Sequence, residues 1–392
     1  MTAEQAFFLS VLADHLNRRR TAEPAGPLDW KELLSLGRIH QVGGILYAQC
    51  QAFLPEAFER AFAENYGATL YHHGNRRAME AQLTDALRAA HIPFFILKGA
   101  AVAAYYPVPA LRTMGDTDVV VHTEDRRRAH EVFLAQGCRS ESQFEDREWV
   151  YRKDGMEFEL HDHLVYRETI NRREQEAFFN DFWRYVHGDE LDRSFHLLFL
   201  LLHLRKHLMN EGVGFRQFMD VAAMTARCPE LDWPWIRETL EELGMGAFAG
   251  TVFAMDRAWF GIEAPLLPKE IDAAFLEEAA DLVFRNGVFG FHNTDNRDNG
   301  AINVARNAGN AKLAMARSAI RMVFPTYEAL IVVPQYRFLK GRPWLLPAAW
   351  AYRVLLGVRG GKVSHAIDTV QGSFVSEEAV EKRSAMLERW GL

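Results

Sequence analysis

The segment from Pro93 to Asp118 constrains the fold most strongly, because strand-like, turn-like and helix-like stretches follow one another within it. It reads PFFILKGAAVAAYYPVPALRTMGDTD. An apolar run ends abruptly at Lys98-Gly99, and small residues and a proline-punctuated loop follow it. The loop leads into a second apolar run, Val119–Val121. The pattern predicts a strand, a glycine turn, a short helix, a loop and a second strand.

Two carboxylates stand at the start of the second predicted strand, in Asp116-Thr117-Asp118. Side chains two residues apart on a strand point to the same face of the sheet. We therefore expect Asp116 and Asp118 to converge, while Thr117 points away. A hard divalent cation such as Mg²⁺ takes carboxylate oxygens together with substrate phosphates. The pair is a candidate metal site beside the turn at Lys98-Gly99.

Composition limits the class of protein. The chain has 392 residues, enough for two or three domains, and its 49% hydrophobic and 25% charged residues are ordinary for a globular protein. A net charge of −7 argues against a protein that coats nucleic acid along its whole surface. The segment 303–362 is the exception, with ten Lys/Arg residues and one acid, Glu328. It is a solvated face, or it holds a polyanionic acceptor or lies on an anionic membrane surface.

Cysteine usage and the N-terminal sequence point to a soluble, cytoplasmic protein. Cys50, Cys138 and Cys228 are far apart and outside any C-x-x-C spacing, which indicates neither a zinc knuckle nor a disulfide framework. The N-terminal segment places its arginines after its apolar positions, the reverse of a signal peptide. No run reaches the roughly 18 to 20 apolar residues that cross a membrane.

Apolar spacing divides the chain into three parts. They are an N-terminal helical region at 1–88, a sheet-bearing region at 89–190 and a C-terminal helical region at 191–392 that contains the basic segment 303–362. Helices in the first region are predicted at Trp30–Leu36 (capped by Asp29), Gln51–Asn65 and Tyr71–Ala90. The polar, Gly/Asn-rich stretch from His292 to Gly309 is predicted to be a loop.

A hairpin is predicted after the first two strands. The runs Glu148–Arg152 and Met156–His161 flank Asp154-Gly155, a strong signal for a tight turn between antiparallel strands. The second run alternates, so that Glu159 and His161 share one face with Glu157. An acidic face on a strand of this kind needs either solvent or a metal.

Two residue pairs at helical spacing follow in the C-terminal region. Phe195–Met209 is apolar nearly all round, which predicts a buried helix, and His203 and His207 share one of its faces. Arg216 and Asp220 are also four apart, at the start of a further helix, and are predicted to form an ion pair if this part of the chain lines a cleft opposite the sheet. The histidines lack an H-E-x-x-H pattern, so they either pack within a helical core or line a cleft opposite the sheet.

The combination of these motifs resembles the uncharacterised nucleotidyltransferase family NTP_transf_5 of the polymerase-β-like superfamily. The resemblance rests on Leu97-Lys98-Gly99, Tyr106-Pro107, Arg112, Gly115–Val121, Glu159-Leu160-His161, His203, His207, Arg216 and Asp220. It implies an α+β fold, with a small mixed β-sheet of palm-like type flanked by N-terminal and C-terminal helical regions. It also implies metal-dependent transfer of a nucleoside monophosphate from an NTP to a hydroxyl of an acceptor, with release of pyrophosphate.

The resemblance also implies a role for each matched residue. Asp116 and Asp118 would bridge two Mg²⁺ or Mn²⁺ ions, and Glu159 would hold the catalytic metal and help deprotonate the acceptor hydroxyl. Nucleotide or substrate contacts would come from Lys98, Gly99, Arg112, His161, His203, His207, Arg216 and Asp220. The wider superfamily carries Gly-Ser or Gly-Gly at its turn. Here Ala100 follows Gly99, so the phosphate-binding hydroxyl is missing and Lys98 is the candidate replacement.

Two other functions use the same residues. A D-x-D glycosyltransferase would hold a metal and a nucleotide sugar, although the helical residues before the first strand count against it. A catalytically idle protein of the same fold would bind nucleotides or regulate a partner. The acceptor of a transferase would be a small molecule, sugar, peptide or protein. Nucleic acid is disfavoured, because no aromatic-basic stacking module is recognisable.

Overall fold

The computed structural model describes residues 1–143, 147–165, 173–266, 270–288, 290, 299–306, 320–321, 323–331, 333–359 and 376–392. The chain forms two compact units. The first comprises Met1–Leu208, Gly212–Asn293 and Gly391, and the second comprises Met209–Glu211, Thr294–Trp390 and Leu392. The three sequence regions defined above stay a prediction. In the described part of the chain, no helix is long and apolar enough to cross a membrane.

Helices precede and follow the sheet in the first unit. Before the sheet they are α1 (Ala3–Leu16), α2 (Trp30–Ile39), α3 (Gly43–Cys50) and α4 (Glu56–Ala89). Within and after the sheet they are α5 (Gly99–Val102), α6 (Arg126–Ala135), α7 (Arg173–Asn180), α8 (Arg193–Asn210), α9 (Phe215–Arg227), α10 (Trp233–Glu242), α11 (Gly246–Phe260) and α12 (Ala273–Asn286). The predicted N-cap of α2 is confirmed, because the Asp29 carboxylate accepts from the backbone N–H groups of Lys31 and Glu32.

Helix α4 corrects one prediction from the sequence. Two helices, Gln51–Asn65 and Tyr71–Ala90, were expected, but a single helix of 34 residues spans Glu56–Ala89. Gly67 lies inside it, and a glycine in a helix interior costs only about 1 kcal/mol relative to alanine. Packing of α4 against α3 and against the sheet outweighs that cost. Burial, which propensity does not report, decides that the helix continues.

The sheet has five strands in the spatial order β1-β2-β5-β4-β3. Its strands are β1 (Phe94–Leu97), β2 (Asp116–Val121), β3 (Arg139–Gln143), β4 (Trp149–Lys153) and β5 (Met156–His161). Strand β2 runs antiparallel to β1 and parallel to β5, while β4 is antiparallel to both of its neighbours. A separate two-stranded ribbon joins β6 (Val186–His187) and β7 (Glu190–Leu191). The small mixed sheet with flanking helices confirms the predicted α+β class.

The predicted hairpin is also confirmed. Strands β4 and β5 pair with Lys153 opposite Met156, so Asp154 and Gly155 form the two-residue connection. Both turn residues have positive φ, +48° for Asp154 and +79° for Gly155. That conformation matches the twist of the flanking strands in a two-residue hairpin, and Asp-Gly adopts it at low cost.

The two faces of the sheet have different partners. One face packs beneath α4 and α6, and its apolar core includes Leu87, Phe133, Val119, Phe158 and Leu160. Alternation along the strands sends the intervening side chains, among them the carboxylates of β2 and β5, to the opposite face. The sheet therefore acts as a partition between a hydrophobic core and a polar site.

The second unit has a small core of its own. Leu330, Tyr336, Leu339 and Ala349 are buried together. Its longer described helices are α13 (Asn299–Arg306), α14 (Tyr327–Ile331), α15 (Leu346–Arg359) and α16 (Glu377–Arg389). The loop predicted for His292–Gly309 is wrong over 299–306, which are helical, while 292–298 and 307–309 lie outside the described residues.

Candidate active site

Lys98 directly follows strand β1 and has an unusual backbone conformation. Its φ is +55° and its ψ is −124°, in the first position of a sharp turn from the strand into α5. Such a conformation costs a non-glycine residue about 1–3 kcal/mol, and it persists where the surrounding structure determines it. The turn directs the Lys98 ammonium towards β2, where Nζ lies 2.5 Å from Oδ1 of Asp118.

Three donor groups converge at the boundary between β2 and β5. Asp118 stands directly opposite Glu159 in the parallel register, and His161 follows two residues later on the same face of β5. Nε2 of His161 lies 3.0 Å from Oδ1 of Asp118 and 3.1 Å from Oε2 of Glu159. One ligand atom from each of the three residues lies within 4.8 Å of the others.

Asp116 stands at the start of β2, opposite Glu157 in the parallel register. It lines the same cavity as Glu159, but it does not belong to the group of three donors. The sequence predicted Asp116, Asp118 and Glu159 as metal ligands. The structure gathers the last two with His161 instead, and the role of Asp116 stays a prediction.

Thr117 points to the opposite face, as its position between the two aspartates predicted. Its hydroxyl donates to Oε1 of Glu80 at 2.8 Å and accepts from Nη1 of Arg76 at 2.9 Å. Arg76 also donates to the carbonyl of Gly115 at 3.0 Å. These contacts from α4 hold the start of β2 from the face of the sheet opposite the carboxylates. Sequence reasoning missed Arg76 and Glu80, because nothing in an amphipathic helix identifies which charged residues face a distant strand.

Gly99 gives space to a buried ion pair. A methyl group at Gly99 would meet the guanidinium of Arg112. Nη2 and Nε of Arg112 donate to the two carboxylate oxygens of Asp220 at 2.5 and 3.1 Å, and the hydroxyl of Tyr106 donates to the same carboxylate at 2.7 Å. The sequence predicted Arg216 as the partner of Asp220. The structure brings Arg112, 108 residues earlier in the chain, to that carboxylate.

Arg216 instead joins the loop before β2 to the N-terminal helices. Its Nη1 donates to Oε1 of Gln41 at 2.7 Å and to the carbonyl of Thr113 at 3.1 Å. The Thr113 hydroxyl donates to the backbone carbonyl of Gln41 at 2.6 Å. Arg216 and Asp220 therefore both line the cavity of the predicted site, Arg216 bonded to Gln41 and Thr113 and Asp220 bonded to Arg112.

A cavity of about 250 Å³ lies between the sheet and two helices. The sheet side contributes Lys98, Gly99, Arg112, Asp116, Glu159 and His161. Helices α8 and α9 contribute Phe199, His203, Lys206, His207, Arg216 and Asp220. Asp118 is 1% exposed and lies beneath this surface, in contact with Lys98 and His161. All the residues predicted for the site therefore line one cavity or lie just beneath its wall.

The two histidines of α8 face the cavity together. Nε2 of His203 lies 2.9 Å from Nε2 of His207, and the His203 ring packs against Phe199. Burial lowers the pKa of His203 well below its usual value, and the positive charges nearby act in the same direction. Both rings line the cavity, and a neutral, buried His203 is compatible with either of the two alternatives that the sequence left open.

Burial and charge set the protonation of the sheet residues. Burial opposes the charged form of Lys98, but Asp118 and other nearby carboxylates outweigh it and raise the Lys98 pKa. Burial likewise opposes ionisation of Asp118, yet Lys98 and His161 bring its pKa below the usual range. The same contest raises the pKa of His161 to about 9, because its bonds to the two carboxylates outweigh its burial. Burial raises the pKa of Glu159.

These groups can hold a cation and an anionic substrate side by side. Two carboxylates and an imidazole form a compact donor set, while Lys98, Lys206 and Arg216 border the same cavity and supply positive charge. Neighbouring donors and cations of this kind suit a metal-bound phosphate ligand.

One comparison with known proteins identifies a family. The family model described as uncharacterised nucleotidyltransferase matches residues 26–261, from just before α2 to the glycine after α11. The match includes the whole sheet and each residue predicted for the site. No curated protein and no solved structure matches the chain. Because the family model spans more than half of the sequence, the chain belongs to this uncharacterised family of nucleotidyltransferases.

Proposed function

We propose that the protein transfers a nucleoside monophosphate from an NTP to a hydroxyl group of an acceptor and releases pyrophosphate. The observation that carries the proposal is the juxtaposition of Asp118, Glu159 and His161 beside the Lys98-Gly99 turn, at the wall of one cavity. Family membership supports the transferase class. The cavity's cations support a polyphosphate substrate.

The donor set fits the divalent metal that such a reaction uses. Asp118 and Glu159 supply carboxylate oxygens, the ligands that hard divalent ions prefer, and the group is compact enough to surround one ion. When bound, the ion neutralises phosphate charge and stabilises the attacking and leaving oxygens. Asp116, which lines the cavity, would hold a second ion.

Cationic residues of the cavity would position the triphosphate. Lys98 and Lys206 offer ammonium groups, and Arg216 offers a guanidinium from the opposite wall. Phosphate recognition by such groups is charge-assisted and therefore strong in a partly buried site. The guanidinium of Arg112, held by Asp220 against Gly99, would act mainly by fixing the turn that carries Lys98.

Glu159 would accept the proton of the acceptor. The acceptor oxygen attacks the α-phosphorus and forms a new P–O bond. The bond from that phosphorus to the bridging oxygen of the β-phosphate breaks, and the electron pair leaves with pyrophosphate. The hydroxyl proton passes to the Glu159 carboxylate, whose pKa is raised by burial and therefore closer to that of a useful base.

Incubation with α-labelled NTPs, a divalent metal and a cell extract tests the proposal. We expect label on an acceptor species and release of pyrophosphate. Glu159→Gln should lower the transfer rate by about 10²-fold or more, and Asp118→Asn should abolish transfer. Asp85→Asn, at an exposed position of α4, is the matched control. Full transfer by Glu159→Gln and Asp118→Asn would show that the residue assignments are wrong.

The same reactions separate the two competing functions. Release of UDP from a UDP-sugar would favour a D-x-D glycosyltransferase. NTP binding without label transfer would favour an idle protein of this fold. The tight contact of Lys98 and His161 with Asp118 gives the idle alternative a physical basis, because both cations satisfy the carboxylate without a metal.

The second unit is proposed to hold the acceptor or to contact an anionic surface. Segment 303–362 carries its excess of Lys/Arg next to exposed apolar side chains, with Trp344 70% and Leu355 60% exposed. Aromatic and aliphatic groups beside cations suit the interface of an anionic membrane. Cosedimentation with anionic against neutral vesicles tests this proposal. Binding that is equal for the two vesicle types, or absent, would contradict the contact with an anionic surface and leave the acceptor as the remaining proposal.

A further inference from the structure

The donor set is unusual for a magnesium site, because one of its three donors is nitrogen. His161 is 7% exposed and Nε2 faces both carboxylates, while the strand alternation that places Glu159 on this face also places His161 there. The strand register that brings Glu159 to the site therefore also brings the imidazole of His161 there.

The distances from Nε2 of His161 to the two carboxylates suit ligation of one octahedral ion. Bonds of about 2.1 Å at right angles place neighbouring ligand atoms about 3.0 Å apart. Nε2 of His161 lies 3.0 Å from Oδ1 of Asp118 and 3.1 Å from Oε2 of Glu159. An ion shared by these three atoms would replace the proton that Nε2 of His161 donates to the two carboxylates, and that proton would pass to solvent.

Nitrogen donors discriminate between divalent ions. Mg²⁺ dehydrates reluctantly and is bound through oxygen, whereas first-row transition ions accept imidazole together with carboxylate. We propose that Nε2 of His161 is a metal ligand and that the site therefore takes a transition ion of the Mn²⁺ type in preference to Mg²⁺. The inference deepens the proposed function by naming the class of ion, and it rests on that function only for the role of the ion in catalysis.

Lys98 must move away from Asp118 before an ion can bind to that carboxylate. Its Nζ lies 2.5 Å from Oδ1 of Asp118, and His161 contacts the same oxygen. An incoming ion would take that oxygen, and the Lys98 side chain, which is 18% exposed, has the cavity to turn into. There it would meet the phosphates of the nucleotide, so that one lysine serves the empty and the loaded site.

Metal binding to the full chain without nucleotide tests the proposal. Mn²⁺ is titrated and followed by electron paramagnetic resonance, and Mg²⁺ is added as competitor. We expect Mn²⁺ to bind on the order of tenfold or more tighter than Mg²⁺, and the bound Mn²⁺ to show electron spin echo modulation from imidazole ¹⁴N. His161→Asn should remove the modulation and reduce the preference for Mn²⁺.

Two further variants separate ligation from a structural effect. His163→Asn changes the neighbouring histidine, which is 45% exposed and bonded to Asp162, and it should keep the modulation. Glu159→Gln removes the negative charge of an oxygen donor, so it should weaken Mn²⁺ and Mg²⁺ together and retain the ¹⁴N signal. Circular dichroism of each variant confirms that it is folded.

The outcomes decide the inference independently of catalysis. Retained modulation in His161→Asn, equal affinity of the wild type for the two ions, or no Mn²⁺ binding would overturn it. Any of these results leaves the label-transfer experiment as the test of the proposed function. Conversely, Mn²⁺ binding with ¹⁴N modulation in a protein that transfers no label would uphold the ligand assignment and count against the transferase.

Discussion

Nζ of Lys98 lies 2.5 Å from Oδ1 of Asp118, and the two side chains are 18% and 2% exposed. The pair joins the residue after β1 to the middle of β2. Leu97, which precedes Lys98, is the register partner of Asp118. Removing one member of a buried pair leaves an uncompensated charge, which costs more than the pair contributes when it is intact. Lys98 thus acts as an internal counter-ion for the proposed metal site.

The variant Lys98→Met should be less stable without metal and regain stability with it. Loss of the ammonium leaves Asp118 with His161 as its remaining cation among those described here, at a cost on the order of 3 kcal/mol. A bound divalent ion replaces the missing charge. Because no lysine competes with the ion, added Mn²⁺ should raise the melting temperature of Lys98→Met more than that of the wild type.

Differential scanning calorimetry with and without Mn²⁺ measures this effect. Lys31→Met, at an exposed position of α2, is the control and should behave as the wild type does. An equal gain from Mn²⁺ in Lys98→Met and in the wild type would mean that Lys98 does not compete for the site.

Substitution of two glycines by alanine should have opposite effects. Gly99→Ala places a methyl group against the Arg112 guanidinium, which Asp220 holds in place, so the turn must shift. We expect lower stability and loss of transfer activity. Gly67→Ala meets nothing within 4 Å on the exposed side of α4, so it should stabilise the protein by about 0.5–1 kcal/mol.

Chemical denaturation of the two variants measures the difference. A destabilised Gly67→Ala would contradict the continuous helix α4. A Gly99→Ala variant that is as stable and as active as the wild type would remove the steric reason for glycine at the turn.

The local part of the fold could be predicted from the sequence. Strand β1 falls on its apolar run, β4 and β5 join at Asp154-Gly155, and the period of two places Glu159 and His161 on one face. Each of these follows from residues that are neighbours in the chain. Short-range periodicity therefore sufficed to place Glu159 and His161 on one face, whereas the parallel pairing of β2 with β5 brings Asp118 beside them.

Long-range partners could not be predicted in the same way. The i, i+4 rule paired Arg216 with Asp220, but Arg112 reaches that carboxylate from a loop 108 residues away. Arg76 and Glu80 support Thr117 from the opposite face of the sheet by the same kind of contact. The packing of helices and strands decides which charged residues pair, and a helical wheel contains no information about that packing.

The Arg112–Asp220 pair yields a graded prediction. Asp220→Asn removes the carboxylate charge that pairs with the buried Arg112 guanidinium. It should lower the free energy of unfolding by about 3–5 kcal/mol. Tyr106→Phe removes a single hydrogen bond to the same carboxylate and should cost about 1–2 kcal/mol. Both are measured by chemical denaturation at neutral pH. If Tyr106→Phe were the more damaging of the two, the ion pair would not be the main interaction of this network.

Stability should fall between pH 7 and pH 5 because of His15 in α1. Burial, assisted by Arg227, lowers the pKa of His15 from 6.5 to about 4. A depressed pKa means that the unfolded chain binds the proton more readily. The contribution is therefore present above pH 6.5 and is lost as the pH falls towards 4.

At pH 5 the loss from His15 should amount to about 2 kcal/mol. His15→Leu removes the titrating group from a position that is 3% exposed, so its free energy of unfolding should change less between pH 7 and pH 5 than that of the wild type. His72→Gln, at an exposed position of α4, is the matched control and should retain the wild-type dependence. Urea denaturation at the two pH values measures the difference. If His15→Leu lost as much stability on acidification as the wild type, the acid sensitivity would have to come from other groups, with His196 the next to test because burial lowers its pKa to about 4 as well.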